Sequence, residues 1–238
     1  MQETISKLKE LIEKSHYCVF FGGAGVSTES GIADFRSVDG LYAQKYPHPP
    51  EVMLSHTFYK EHTKEFFEFY KAKMIFPQAK ANFAHIKLAE LEKMGKVKAV
   101  ITQNIDGLHQ MAGSREVLEL HGSVKRNYCE RCHAFYTEKK IVESSGVPRC
   151  ECGGIVKPDV VLYEEGLDSN ITRRAIEHIQ KADLLIVGGT SLIVYPAAGM
   201  LDYFKGENLV LINRTETSKD DRANYIFREN IGEIFSKL

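Results

Sequence analysis

The sequence predicts an α/β protein: a parallel sheet with helices on both faces, interrupted by two inserts. Three observations predict it. Short apolar runs rich in β-branched and aromatic residues recur at 19–21, 97–101, 117–120, 160–163, 184–187 and 209–212. Strands buried on both faces carry apolar residues at consecutive positions in this way. Helical patterns separate several of these runs, and strand–helix alternation is the mark of parallel strands joined by crossovers. Glycine or small polar residues leave several strands directly, where an open parallel sheet keeps its ligand crevice.

The elements follow in order. Ile5, Leu8, Leu11 and Ile12 recur at helical spacing and predict an amphipathic first helix rather than an export signal. Tyr17-Cys18-Val19-Phe20-Phe21 is the first strand, and Gly22-Gly23-Ala24-Gly25 is the turn that leaves it. From about Val38 to Lys80 the alternation lapses: a proline-rich loop precedes an aromatic helix with Phe58, Phe66, Phe67, Phe69 and Tyr70. Residues 82–94 form a helix with Phe83, Ile86 and Leu91 on one face, leading into the strand at 97–101. The strand at 117–120 ends in His121-Gly122-Ser123, and a cysteine-bearing insert occupies about 125–156. Beyond it come the strand at 160–163, a helix over 171–181 (Ile171, Ala175, Ile176, Ile179), and the strands at 184–187 and 209–212.

Chemistry concentrates at the strand ends. Glycines after a buried strand let main-chain N–H groups approach a pyrophosphate, and the next helix's N-terminus adds positive dipole. The same residues also make a tight turn with no ligand. A dehydrogenase would next need a strand ending in an acid about 20 residues on. That stretch holds Asp39-Gly40-Leu41-Tyr42 and Tyr46-Pro47-His48-Pro49-Pro50, with no strand, which disfavours hydride transfer. After the strand at 97–101, Gln103, Asn104 and Asp106 offer paired donors and acceptors for a ribose and an amide. Their plainer use is to cap the following helix. His121, beside a glycine that permits close approach, suits a general base near neutral pH, although a single histidine is more often structural.

Four of the five cysteines fall as Cys129-x-x-Cys132 and Cys150-x-Cys152. Two close pairs flanking a short insert read as a tetrahedral thiolate zinc site, each pair forming a knuckle. With four sulfur ligands the metal is structural and closed to substrate, so zinc-catalysed hydrolysis is disfavoured. Disulfides are the competing reading, weakened by the lack of an export signal. Cys18, inside an apolar strand, is a small core residue. The formal net charge of −1 gives no broad basic field for nucleic acid, and no apolar run approaches a membrane span. A cytoplasmic location is the expectation.

Six ordered segments carry a resemblance over essentially the whole chain: GAGVSTESGIADFRS (23–37), TQNIDGLH (102–109), HGS (121–123), KPDVVLYEE (157–165), GGTSL (188–192) and Asn213 at a strand end. Together they resemble the sirtuin family, the NAD-dependent protein deacylases, in its bacterial form. The resemblance implies a Rossmann-like NAD-binding domain from residues 1–37, 81–124 and 157–238. It implies a small domain from the helical insert 38–80 and the zinc ribbon 125–156, with the substrate cleft between the two.

The resemblance also implies roles. Ala24, Thr28, Thr190, Ser191 and Asn213 line the NAD phosphates and ribose, and Asn230 and Ile231 the adenine pocket. Asn104, Ile105 and Asp106 form the nicotinamide pocket; Phe35 covers the reacting sugar carbon, and Arg36 neutralises phosphate. The acyl-lysine oxygen attacks that carbon, His121 takes a proton from the ribose hydroxyls, and nicotinamide and acyl-ADP-ribose are released. The acyl-lysine amide bonds to backbone around Val161, the peptide adding as a strand. Three departures from the family pattern stand out. Ala33 replaces a usual proline, and Glu164 a frequent glycine. Tyr70 and Lys73 stand where succinyl-preferring members have a tyrosine and an arginine. A lysine cannot hold a carboxylate bidentately, so acetyl-lysine is expected over succinyl-lysine. The rival activity on the same frame is protein ADP-ribosyltransfer, and a non-catalytic NAD-binding or zinc-ribbon module is a third reading.

Overall fold

The computed structural model describes residues 2–37 and 40–238, so Val38 and Asp39, at the start of the first insert, lie outside the described residues. Its strands are β1 (Cys18–Gly22), β2 (Val97–Thr102), β3 (Val117–Glu119), β4 (Gly122–Cys129), β5 (Phe135–Thr137), β6 (Val156–Val160), β7 (Leu184–Gly188), β8 (Asn208–Ile212) and β9 (Tyr225–Phe227). Its helices are α1 (Gln2–Lys14), α2 (Pro50–Met53), α3 (His56–Glu61), α4 (Thr63–Lys73), α5 (Phe83–Lys93), α6 (Leu108–Ala112), α7 (Glu138–Glu143), α8 (Ser169–Lys181) and α9 (Ile231–Phe235).

Six strands form one sheet in the order β3-β2-β1-β7-β8-β9, with every neighbouring pair parallel. Alternate residues of a strand face opposite sides, and each side has its own apolar layer. Phe20, Val100, Ile186 and Val210 pack with residues from α1, α5 and α9. Val19, Phe21, Ile101, Leu185 and Val187 pack with α8 and the 3₁₀ turn Ala197–Tyr203. Each such side chain contributes about 1.5–3 kcal/mol when fully buried, so a one-residue slip of β1 would misplace both layers at once.

Two sequence expectations shift here. The strand placed at 160–163 in the parallel sheet is β6, which ends at Val160 and pairs antiparallel with β4 in a separate sheet ordered β5-β4-β6. Its residues are alternately buried and half-buried, the signature of a strand with one covered face. The sixth parallel strand is instead β9, too short to stand out from periodicity. The buried stripe of α5 is Ala84, His85, Leu88 and Leu91, whereas Phe83 and Ile86 of the expected face are exposed. The Asn82 side chain sets where that helix begins, accepting from Ala84 N–H at 3.0 Å.

The small sheet runs from Gly122 to Val160, beyond residues 125–156 at both ends. A third apolar cluster covers it, joining Phe58, Tyr59, Phe66, Phe67 and Tyr70 of α3 and α4 to Val124, Val156 and Leu162. Arg126 of β4 ties the two sheets. Its guanidinium donates to Glu119 at the end of β3 at 2.6 Å and to Asp159 of β6 at 2.7 Å. The chain crosses between the sheets at Leu120 and His121, which places that histidine at the junction.

Candidate active site

The carboxyl ends of β1 and β7 interlock. Gly25 N–H donates to the Gly189 carbonyl at 2.8 Å, and a Cβ on Gly25 would sit 2.8 Å from Gly189 Cα. Gly189 is itself in the left-handed region, at φ +59°, so neither position accepts a side chain without displacement. The expected helix after the first turn is replaced by two 3₁₀ turns, Ala24–Val26 and Thr28–Ser30. The main-chain N–H groups of Ala24, Thr190 and Ser191 form no hydrogen bond within the described residues. Three unpaired amide donors on facing turns fit a pyrophosphate. Thr28 Oγ1 donates to the Gly25 carbonyl at 3.0 Å.

The end of β2 supplies a second set. Ser27 Oγ donates to Asp106 Oδ2 at 2.7 Å and accepts from Asn104 Nδ2 at 3.0 Å. Leu108 N–H donates to Asp106 Oδ1 at 2.8 Å, so the carboxylate is held from both sides and retains acceptor capacity. Gln103 Nε2 donates to Thr190 Oγ1 at 3.0 Å, joining this end to the glycine turn. Ile105 packs against the small-sheet cluster, and its carbonyl accepts Val124 N–H at 2.9 Å.

His121 Nδ1 donates to the Gln103 carbonyl at 2.9 Å. A carbonyl only accepts, so the neutral ring keeps its proton there and presents a lone pair at Nε2. Burial pushes the His121 pKa below its ordinary value, and the bond to Gln103 pulls it partly back. The His121 carbonyl accepts Val161 N–H at 3.0 Å, which sets β6's continuation alongside the base.

A single cleft of about 550 Å³ runs past these groups. It is lined by Ala24, Thr28, Phe35, Arg36, Tyr70, Gln103, Asn104, Ile105, Asp106, His121, Val161, Thr190, Ser191, Asn213, Asn230 and Ile231. That volume is in the range of a cofactor-sized pocket. Every expected cofactor and substrate position therefore borders one cavity. Phe35 packs edge-on to Tyr42, over whose ring Arg36 lies at 5.0 Å. Tyr70 is fully buried and stacked on Phe66, and its hydroxyl has no hydrogen-bond partner among the described residues. Asn213 Nδ2 donates to the Thr215 carbonyl at 2.9 Å, and Ile231 opens α9 beside Gly188.

Sequence reasoning missed two participants. Ser27 bridges Asn104 and Asp106, yet it passed as one letter of a glycine-rich motif. His85 is fully buried, and its Nε2 lies 3.5 Å from Ser27 Oγ. The available signal was its position three residues after the capping Asn82, whose N–H its ring accepts at 3.3 Å.

The sulfurs of Cys129, Cys132, Cys150 and Cys152 lie within 4.8 Å of one another. Cys129–Cys152 and Cys132–Cys150 are each 3.5 Å apart, far longer than a disulfide of about 2.05 Å. Sulfurs about 2.3 Å from a tetrahedral zinc stand about 3.8 Å apart, so the cluster fits that ion. Gly154 is required beside it, because a Cβ there would fall 2.7 Å from Cys129 Sγ. Cys18 is buried in β1, as expected.

The comparisons agree with this geometry. A curated protein of Clostridium perfringens named "NAD-dependent protein deacetylase" is 61% identical, covering 100% of this chain and 99% of that protein. A Sir2 complex with deacetylated p53 peptide and 3'-O-acetyl-ADP-ribose superposes with TM-score 0.90 at 41% identity, covering 98% of this chain and 96% of the other. A complex of Sir2 with p53 peptide and NAD+ gives TM-score 0.86 at 41% identity over the same shares. Residues 23–196 match the sequence pattern of the Sir2 family. Interlocked glycine turns, a histidine at the junction of two sheets and a four-cysteine cluster thus come with relatives along the whole chain, which belongs to the Sir2, or sirtuin, family.

Proposed function

We propose that this chain is an NAD-dependent protein deacetylase that removes acetyl groups from lysine side chains, with a structural zinc ion in its small sheet. The observation that carries the reading is His121, whose Nδ1 is committed to Gln103 so that Nε2 is free to take a proton in the cleft. NAD, as co-substrate, supplies an electrophilic ribosyl carbon from which nicotinamide departs and to which the acyl oxygen adds.

The chain's own groups have separable tasks. Ala24, Thr28, Thr190, Ser191 and Asn213 hold the phosphates and ribose, and Asn230 and Ile231 the adenine. Gln103, Asn104 and Ile105 line the nicotinamide end, where Asp106 accepts a carboxamide N–H. Phe35 excludes water from the reacting carbon, and Arg36 offsets phosphate charge. His121 acts as general base on a ribose hydroxyl. Val161 bonds the acyl-lysine amide, and Tyr70 closes the acyl pocket. Cys129, Cys132, Cys150 and Cys152 hold zinc, which fixes the small sheet rather than touching substrate.

The NAD-binding part is built on residues 1–37, 81–124 and 157–238 and the small part on 38–80 with 125–156, the strands of the small sheet reaching across the boundaries at 122–124 and 157–160. The partners are proteins bearing acetyl-lysine, met in the cytoplasm. Among the described residues no helix is long and apolar enough to cross a membrane. The test is incubation with NAD and an acetylated peptide, following nicotinamide against peptide. Peptide-dependent release supports the deacetylase, and release without peptide, with ADP-ribose gained by a protein, supports the transferase instead.

A further inference from the structure

We infer that Glu164 is a specificity-determining residue, its carboxylate at the cleft wall favouring acyl-lysine peptides with an arginine or lysine next to the modified residue. The inference rests on the deacetylase reading and goes beyond it, since that reading says nothing about flanking sequence.

Glu164 has φ +75°, a region that glycine enters freely and residues with a Cβ avoid. A side chain kept in such a backbone needs something to hold it there. Its Oε2 accepts from Thr57 N–H at 2.9 Å and from Thr57 Oγ1 at 2.7 Å. The neighbouring residue is fixed as well: Tyr163 N–H donates to the Leu54 carbonyl at 3.1 Å, and its own carbonyl accepts His56 N–H at 3.0 Å. The charge is therefore exposed but tethered by two hydrogen bonds to Thr57, and its Oε1 has no partner among the described residues.

Its location decides what it meets. Val161 is bonded to His121, and Val161, Leu162, Tyr163, Glu164 and Glu165 line the same wall of the cleft. With the acyl-lysine amide bonded at Val161, as proposed above, the residues flanking that lysine fall along 162–165. Glu165 is already engaged there, by His56 at 2.8 Å, Lys157 at 3.2 Å and Leu162 N–H at 2.9 Å. Arg36 lies over the Tyr42 ring, and the Tyr42 hydroxyl meets that of Tyr163 at 2.7 Å. Of the two carboxylates on this wall, Glu164 is the one with an oxygen left for a cationic side chain.

The test uses the zinc-loaded full chain and acetyl-lysine peptides that differ only by arginine, alanine or glutamate at the two positions on each side of the lysine. Wild type should prefer arginine over glutamate on at least one side by about three- to fivefold in kcat/KM, the scale of an exposed ion pair, mostly through KM. Glu164→Gln keeps an acceptor for Thr57 but no charge, and should bring that ratio close to one, as should high salt in the wild type. Comparing ratios within one enzyme cancels any general effect of the substitution. Equal wild-type rates on the arginine and glutamate peptides, or an unchanged ratio in Glu164→Gln, would overturn the inference alone. No turnover of the alanine peptide by wild type would overturn the deacetylase reading and the inference with it.

Discussion

The imidazole of His121 is anchored by the main-chain carbonyl of Gln103, 2.9 Å from Nδ1, a residue that also reaches across to Thr190 on the glycine turn. One short segment after β2 thus sets the base's tautomer and the end of the cofactor cleft together. The base works as the neutral ring, and burial lowers its pKa. The acid limb of kcat/KM should therefore fall below pH 6.5 rather than above it, provided the limb reports this ring. His121→Ala should lower kcat/KM by about 100-fold or more while zinc content stays the same. A variant that retains full activity removes the base assignment.

The zinc centre makes a second prediction. Each chain should hold one ion through the four clustered thiols, and Cys150→Ser should lose it, whereas Cys18→Ser should keep it. Zinc bound by thiolates contributes folding free energy directly, on the order of 10 kcal/mol in small zinc modules. Chelation should therefore melt the small sheet and end turnover, although no cysteine lines the cleft. Metal analysis beside thermal melting checks this.

Stability should fall on mild acidification. Burial pushes the His85 pKa down to about 4, and His109, packed against it with neither ring nitrogen partnered among the described residues, is lowered as well. The folded state therefore binds fewer protons than the unfolded chain between about pH 6.5 and 4. The His85 contribution is complete above the unfolded value of 6.5 and is lost as pH drops toward 4, and that of His109 changes in the same direction. Each unit of depression is worth about 1.4 kcal/mol. Denaturant midpoints measured from pH 7 to 4.5 should decline, and His85→Asn, whose side chain can still cap α5, should flatten the decline. An unchanged slope contradicts the assignment to His85.

Acyl selectivity follows from the inner end of the cleft. The Tyr70 hydroxyl is buried without a partner among the described residues, and the Lys73 ammonium is engaged by Gln44 at 3.0 Å and lies 5.5 Å from the Tyr46 ring centre. Acetyl-lysine should exceed succinyl-lysine in kcat/KM by about tenfold or more, because Lys73, unlike an arginine, cannot hold a carboxylate bidentately. Lys73→Arg should narrow that gap. A faster succinyl reaction in the wild type reverses the assignment.

Much of this was legible in the sequence because strand ends and metal knuckles leave local signals. Gly23 to Gly25, Asn104, Asp106, His121 and the cysteine pairs are all specified by what lies within a few residues of them. What escaped depends on long-range packing. The alternation in β6 is visible in Val156, Lys157, Pro158, Asp159 and Val160, but the apolar run at 160–163 draws the strand assignment past it and into the parallel sheet. β9 spans three residues at the sheet edge and has too little pattern to be recognised. The approach of His85 to Ser27 joins residues 58 positions apart, a separation no periodicity encodes.

The most direct measurement is a product balance by mass spectrometry after reaction with NAD and an acetylated peptide. The account predicts acetyl-ADP-ribose, nicotinamide and unmodified lysine peptide in equal amounts, with none of them formed when NAD or peptide is left out. Free acetate produced without NAD, or nicotinamide released while ADP-ribose accumulates on protein, would contradict it.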